Sequence, residues 1–313
     1  MKNKKITFID LFSGIGGFRI AFESVGATCV FSSDIDKYSN KVYFENFKEK
    51  PQGDITKISS RDIPDHDILS AGFPCQPFSI GGRRLGFSDT RGTLFFEIER
   101  IISDKKPKSF ILENVKGLVN HDKGNTFSTI KKSLSDKGYN LHYKIINSKD
   151  FGLPQNRERI FIIGFKNKVD FKFPIFDGKI LDINKILEKK IIDHEISSVA
   201  KNHIKNHLYI YKKHKTTNDN FPIIATEVRP SRCTFRNDGI SPCLTAKMGT
   251  GGNNVPIIVK ENRKLTVREC LRLQGFPDEF RINDNYSQSY KQIGNSVSIP
   301  VVTKLAEEMV KFL

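Results

Sequence analysis

The chain has 313 residues, 38% of them apolar and 27% charged, which is enough to build a core and unlike a disordered chain. Lys and Arg outnumber Asp and Glu 51 to 35, and the net charge of +16 suits a polyanionic partner, most simply a nucleic acid. Every apolar run falls short of the ~18 residues of a membrane span, and at roughly 150 residues per domain the length allows one large domain or two.

Met1-Lys-Asn-Lys-Lys5 resembles the charged start of an export signal, but Asp10 and the glycines at 14, 16 and 17 interrupt the apolar stretch a signal needs. A cytoplasmic location is therefore expected. Up to about residue 165 the chain alternates short apolar runs with longer mixed segments. The runs are Ile6–Phe12, Thr28–Ser32, Asp67–Ala71, Ser109–Leu112, Lys144–Ile146 and Arg159–Phe165. Most lack clean alternation, as strands covered on both faces do. Between them, Thr93–Ser103 and Thr126–Lys137 carry apolar residues at helical spacing. The alternation predicts a doubly wound α/β domain.

Around 166–185 the texture changes. Residues 181–264 hold 15 Lys or Arg against 8 Asp or Glu, which predicts a smaller, basic, mostly irregular or β domain. His203 and His207 stand four apart without the glutamate of a zinc motif; they read as a solvated helix face, and no metal is expected. Helical spacing returns with Val267, Leu271 and Leu273, and a last helix over Val301–Leu313 places Val302, Leu305, Ala306, Met309 and Val310 on one face. The five cysteines, at 29, 75, 233, 243 and 270, are too scattered for a disulfide framework.

Three places carry chemistry. First, strand Ile6–Phe12 runs into Ser13-Gly-Ile-Gly-Gly-Phe18, a strand, glycine loop and helix start that lets a nucleotide approach the backbone. Asp34 follows Gly14 by 20 residues, the spacing at which an acid binds ribose hydroxyls, and Asp54 is a further acid in reach of an adenine amino group. This pattern serves a nicotinamide dinucleotide or S-adenosylmethionine equally. Second, Cys75 lies in Gly72-Phe-Pro-Cys-Gln-Pro-Phe-Ser79 after an apolar strand, where two prolines stiffen the loop at the sheet's carboxyl edge. A thiol of pKa about 8.5 there needs nearby positive charge to act as a nucleophile. Third, Glu113 ends the strand Phe110-Ile-Leu, and Gln155, Arg157 and Arg159 alternate so that in one strand they would share a face. Two guanidiniums could hold an anion, polarise a carbonyl oxygen or clamp the glutamate.

Taken together these blocks resemble the DNA (cytosine-5) methyltransferases of the bacterial restriction-modification type. The matching stretches are Asp10-Leu-Phe-Ser-Gly-Ile-Gly-Gly-Phe18, Gly53-Asp-Ile-Thr56, Gly72 to Ser79, Glu113-Asn-Val115, Gln155-Asn-Arg-Glu-Arg159, Arg268-Glu-Cys-Leu-Arg-Leu-Gln-Gly-Phe-Pro277 and Tyr290-Lys-Gln-Ile-Gly-Asn-Ser-Val297. They stand in the family's order. The resemblance implies a Rossmann-like catalytic domain over 1–180 plus 294–313, a target-recognition domain over 181–264 across a DNA cleft, and a hinge over 265–293. It implies S-adenosylmethionine as cofactor, held by Phe12, Gly14, Gly16, Gly17, Asp34, Ile35, Asp54, Ile55, Pro74, Leu94, Asn295, Ser296 and Val297. It makes Cys75 the nucleophile and Glu113 its proton donor, with Arg159 on the base oxygen and Arg157 orienting Glu113 or a phosphate.

Ser79-Ile-Gly-Gly-Arg83-Arg84 resembles the family's loop that closes over DNA. Double-stranded DNA is the partner this implies, touched by Gln76, Ser79, Arg83, Arg84 and Gln155 and by Arg229, Arg232, Arg236, Cys243, Leu244 and Lys247 of the basic segment. Two departures stand out: Ile35, where many members carry a larger or aromatic side chain, and Cys243, where the family has Thr before Leu. A monomer with a cognate restriction endonuclease elsewhere in the system fits the pattern. The same chemistry on tRNA is the nearest alternative; a dehydrogenase or an inactive DNA-binding protein would leave Cys75, Glu113 and the two arginines without a purpose.

Overall fold

The computed structural model of the chain describes residues 5–73, 93–189, 191, 193–251, 254–283 and 285–313. These form two units. The first takes the described residues of Met1–Ile146, Glu158–Ile175 and Val301–Leu313; the second takes those of Asn147–Arg157 and Phe176–Pro300.

The first unit opens with β1 (Thr7–Leu11), α1 (Gly17–Ser24), β2 (Thr28–Ser33) and α2 (Lys37–Phe47). The turn into α1 depends on Gly16, whose φ of 89° is left-handed and whose missing Cβ leaves room for Phe47. Helix α2 starts where Asp36 accepts hydrogen bonds from the amides of Tyr38 and Ser39. Then come β3 (Ile68–Gly72), α3 (Thr93–Lys105), β4 (Ser109–Val115), α4 (Asn125–Asp136), β5 (Asn140–Asn147) and β6 (Glu158–Phe165).

The sheet runs in the order β2-β1-β3-β4-β6-β5. Strands β1 to β4 are parallel, and β6 runs antiparallel to β4. Helices cover both faces. Ile9, Leu69, Leu112 and Ile162 turn to one side and share a core with Ile98 and Ile102 of α3 and Ile130 and Leu134 of α4. Phe8, the neighbour of Ile9, therefore turns to the other side, where it meets Phe22 of α1 at 5.1 Å between ring centroids. This is the α/β architecture expected from the sequence. One consequence governs the site: parallel β1 to β4 bring their carboxyl ends to one edge, and antiparallel β6 brings its beginning to that same edge.

The second unit holds α5 (Ser198–His214), β7 (Ile224–Arg229), β8 (Arg232–Arg236), β9 (Ile257–Ile258) and β10 (Arg263–Lys264). The four strands form a small sheet in the order β10-β9-β7-β8. Ala200 and Ile204 of α5 join Ala225, Val228 and Ile257 in its core. Helices α6 (Val267–Gln274) and α7 (Tyr286–Asn295) follow. Thr266 caps α6 reciprocally with Glu269, and Glu269 also receives a two-pronged bond from Arg263 at 2.8 and 2.9 Å. The chain ends in α8 (Ile299–Met309), whose residues from Val301 belong to the first unit. Among the described residues no helix is long and apolar enough to cross a membrane.

Candidate active site

At the sheet's carboxyl edge, β1 ends at Leu11 and Phe12 takes a left-handed φ of 55°. Gly14 is left-handed as well, and its amide donates to Asp34 Oδ2 at 2.8 Å, so the acid at the end of β2 is tied to the glycine loop. Asp34 Oδ1 accepts from the Asp36 amide at 2.7 Å. Beside it Ile35 is 75% exposed, an apolar side chain with no packing duty in the core. Asp54 accepts from Thr56 and caps the 3-10 turn Ile55–Lys57, which Ile55 anchors in the core. Ser13 Oγ is buried in the loop with no hydrogen-bond partner. A half-buried carboxylate, an exposed apolar platform and an unsatisfied loop hydroxyl fit the ribose and adenine of a nucleoside cofactor. Leu94, in the first turn of α3, is half-buried.

Burial pushes the Asp10 carboxyl, at the end of β1, well above the ordinary carboxylate range, with the Arg19 guanidinium opposing. Its Oδ1 accepts from Ser70 Oγ at 3.4 Å, while its Oδ2 has no hydrogen-bond partner.

The same edge carries Glu113. Its side chain is 10% exposed and its Oε1 lies 3.1 Å from Arg159 Nε. The register explains the meeting: Val115 of β4 pairs with Arg159 at the start of β6. On the other side Glu113 pairs with Gly72, and a methyl group on Gly72 would lie 3.7 Å from Glu113 Oε2. The carboxylate thus rests against the last residue of β3. Asn114, given no task by the sequence reading, donates from Nδ2 to the Phe73 carbonyl at 2.9 Å in a buried bond. It fixes the backbone two residues before Cys75. Its place between Glu113 and Val115 was the only signal for it. Pro74, Cys75, Gln76, Ser79, Arg83 and Arg84 lie outside the described residues.

In the second unit, Gln155 and Arg157 precede β6, so the strand alternation that would have set them beside Arg159 does not extend to them. Gln155 is fully buried: Oε1 accepts from the Leu244 amide at 3.0 Å, and Nε2 donates to the Leu273 carbonyl and to Gln274 Oε1. Arg157, 2% exposed, donates to the carbonyls of Leu244 at 2.7 Å, Gly294 at 3.2 Å and Ser296 at 2.7 Å. Cys243 Sγ lies 3.7 Å from Arg157 Nη1, and Leu244 is fully buried. Gln274, also missed at the sequence level, donates to the carbonyls of Ile293 and Ser296. Asn295 is exposed, Ser296 half-buried and Val297 buried. Of the basic candidates, Arg229 meets Asn254, Arg232 meets Glu227 and Arg236 meets Asp238, whereas Lys247 is exposed in the 3-10 turn Ala246–Thr250.

Comparison with known proteins places the chain in a family. The family model described as C-5 cytosine-specific DNA methylase matches residues 6–311. The chain is 48% identical to the Type II methyltransferase M.HaeII of Haemophilus aegyptius, over 99% of this chain and 94% of that protein. It is 42% identical to the Type II methyltransferase M.HhaI of Haemophilus parahaemolyticus, over 98% of this chain and 95% of that one. Among solved structures, the Dnmt2 methyltransferase of S. pombe superposes with a TM-score of 0.74 at 21% identity, covering 98% and 99% of the two chains, which bears on the fold alone. The chain belongs to the C-5 cytosine-specific DNA methylase family.

Proposed function

We propose that the chain transfers a methyl group from S-adenosylmethionine to carbon 5 of a cytosine in a short duplex DNA sequence, with Cys75, Glu113 and Arg159 acting on the base. The observation that carries the residue roles is the Arg159–Glu113 pair at the end of β4, where Glu113 lies beside Gly72, the last residue of the strand that precedes Cys75 in the chain. Carbon 5 of cytosine is a weak nucleophile. Addition of the Cys75 thiolate to carbon 6 forms a C–S bond and drives electron density toward N3, where the Glu113 carboxyl supplies a proton. The ring is then an enamine with its nucleophilic carbon at position 5.

Arg159 keeps Glu113 in place and offers further N–H groups to the base O2. When bound, S-adenosylmethionine supplies an electrophilic methyl group on a sulfonium, which carbon 5 takes up. Transfer of the carbon 5 proton to water, departure of Cys75 as the thiolate and return of the N3 proton to the Glu113 carboxylate restore the aromatic ring. Asp34 would hold the cofactor's ribose, Ile35 and Phe12 its adenine, and the Gly14 loop its backbone-facing side. Asn114 sets the chain entering Cys75, so that thiol and carboxyl reach one base from a common edge.

The target carbon is stacked inside the duplex, so the base must leave the stack, at a cost of a few kcal/mol repaid by pocket and phosphate contacts. The net charge of +16 supports the phosphate part of that balance.

The test is direct. Duplex DNA carrying 5-fluorocytosine at the target cannot lose a proton from carbon 5, so the wild type should form a denaturant-stable adduct with it. Cys75→Ala should form none and transfer no methyl group. Methyl transfer by Cys75→Ala would remove the nucleophile from this scheme.

A further inference from the structure

Two side chains hold both backbone groups of one residue. The Leu244 amide donates to Gln155 Oε1 at 3.0 Å, and the Leu244 carbonyl accepts from Arg157 Nη1 at 2.7 Å. Backbone bonds continue the pairing: the Ser241 amide donates to the Pro154 carbonyl and the Asn156 amide to the Ser241 carbonyl, at 2.7 and 2.9 Å. The other ends of the two side chains are also engaged, Gln155 with Gln274 and Arg157 with the Gly294 and Ser296 carbonyls.

Past Leu244 the chain sits directly on α7. A methyl group on Gly294 would fall 2.2 Å from the Thr245 carbonyl carbon, and one on Gly249 would fall 2.4 Å from the Ser287 oxygen. Neither contact leaves room for a side chain. Residues 244–250 are therefore clasped from one side by a buried guanidinium and amide and seated on the other against a helix. A buried Arg with its N–H groups spread over three carbonyls in two segments is a costly device for stability alone, since hydrophobic side chains of like volume would serve as well.

We propose that Gln155 and Arg157 are positioning residues for sequence discrimination. They hold Leu244 in one register, so that Lys247 and Thr250, the exposed residues of the turn Ala246–Thr250, meet the base edges in a single pose. This rests on the reading of the chain as a DNA methyltransferase whose residues 241–251 face the target. The clasp also ties that segment to the carbonyls of Gly294 and Ser296, on either side of Asn295. A loosened clasp would let the turn sample several poses, and near-target sequences would gain relative to the target.

The test compares kcat/KM on the target duplex with kcat/KM on duplexes changed at one base pair. The target is first read from the methylated genome of an expression host. Arg157→Lys keeps the charge but loses the fork, and Gly294→Ala keeps the Arg157 side chain but presses on Thr245 and so shifts the seat of the clasp. Both should lower the ratio of target to near-target rates by about tenfold or more, the size of one lost base contact. Ile130→Val, in the core of the first unit, is the control for stability loss and should leave the ratio unchanged. An unchanged ratio in both clasp variants would overturn the proposal.

One arm needs no variant. The Leu244 amide of the wild type should exchange its hydrogen far more slowly than the Lys247 amide before DNA is added, and equal rates would also overturn the proposal. A wild type that methylates no DNA would instead count against the underlying reading.

Discussion

Arg159 Nε stands 3.1 Å from Glu113 Oε1, with the two side chains 14% and 10% exposed. The pair exists because β6 runs antiparallel to β4 and so returns its first residues to the edge where β4 ends. If Glu113 protonates the base, Glu113→Gln should lower kcat by ~10²–10⁴-fold with DNA affinity nearly unchanged. Arg159→Leu should lower it as well, and the double variant should lose less than the product of the two single losses, because each side chain acts through the other. Rapid-quench methyl transfer on a single-site duplex measures all three. Multiplying losses would mean the two groups work separately.

Asp34 joins the glycine loop to the end of β2. Asp34→Ala should weaken S-adenosylmethionine binding by ~10–100-fold, the value of hydrogen bonds to a charged group. Calorimetry on the protein without DNA reads this apart from catalysis. Unchanged affinity would remove Asp34 from the cofactor site.

Two buried acids should give opposite pH dependences of stability. Burial alone would raise the Asp67 carboxyl, but the Thr7 amide and the Lys108 ammonium outweigh it and hold the group below its ordinary value. Its stabilisation is therefore complete above the unfolded-state pKa of about 3.9 and fades as pH falls through the folded value. Asp10 is the reverse, since burial pushes it up. Its folded state holds a proton that the unfolded chain has released, so its contribution worsens as pH climbs above about 4. Urea unfolding from about pH 2 to 7 should show Asp67→Asn losing ground against the wild type as pH rises to about 4 and Asp10→Asn gaining it above about 4. Parallel curves would contradict both assignments.

Glu269 is fully buried and accepts from Arg263, from the Thr266 amide and from the Glu188 amide at 2.9 Å. Glu269→Ala takes two bonds from the buried Arg263 guanidinium, which keeps Glu261, and removes the Glu269 half of the α6 capping box, and should cost about 3 kcal/mol, the low end for a broken buried pair. Arg263→Met with Glu269→Leu should recover much of that loss in chemical denaturation. Failure of the pair to recover would mean the ion pair is worth more than its desolvation.

The sheet was legible because its strands are covered on both faces and read as continuous apolar runs. Strand β5 was read short, as Lys144–Ile146 instead of Asn140–Asn147, because it is the edge strand and its His142, Tyr143 and Lys144 are partly exposed. Glu113 and Arg159 could be singled out as charged residues bordering apolar strands, where burial demands a partner. The neighbourhood of Arg157 could not. Its bonds run to carbonyls of residues 244, 294 and 296, and a carbonyl leaves no trace in the sequence. Gln155 and Gln274 were hidden for the same reason. Helix α5 lay in a stretch expected to be mostly irregular or β; the spacing of His203 and His207 marked a helix face, but its polar and basic side chains mask the two residues it buries deeply, Ala200 and Ile204, and so its length.

Methylation of carbon 5 of cytosine at one DNA sequence leaves its record in the genome of the cell that makes the enzyme. Expression in cells that lack 5-methylcytosine, followed by sequencing of their DNA with a chemical readout for that base, tests it most directly. Wild-type protein should give near-complete methylation at one short recurring sequence and Cys75→Ala none. Unmethylated DNA in cells that contain folded, S-adenosylmethionine-binding wild-type protein would contradict it.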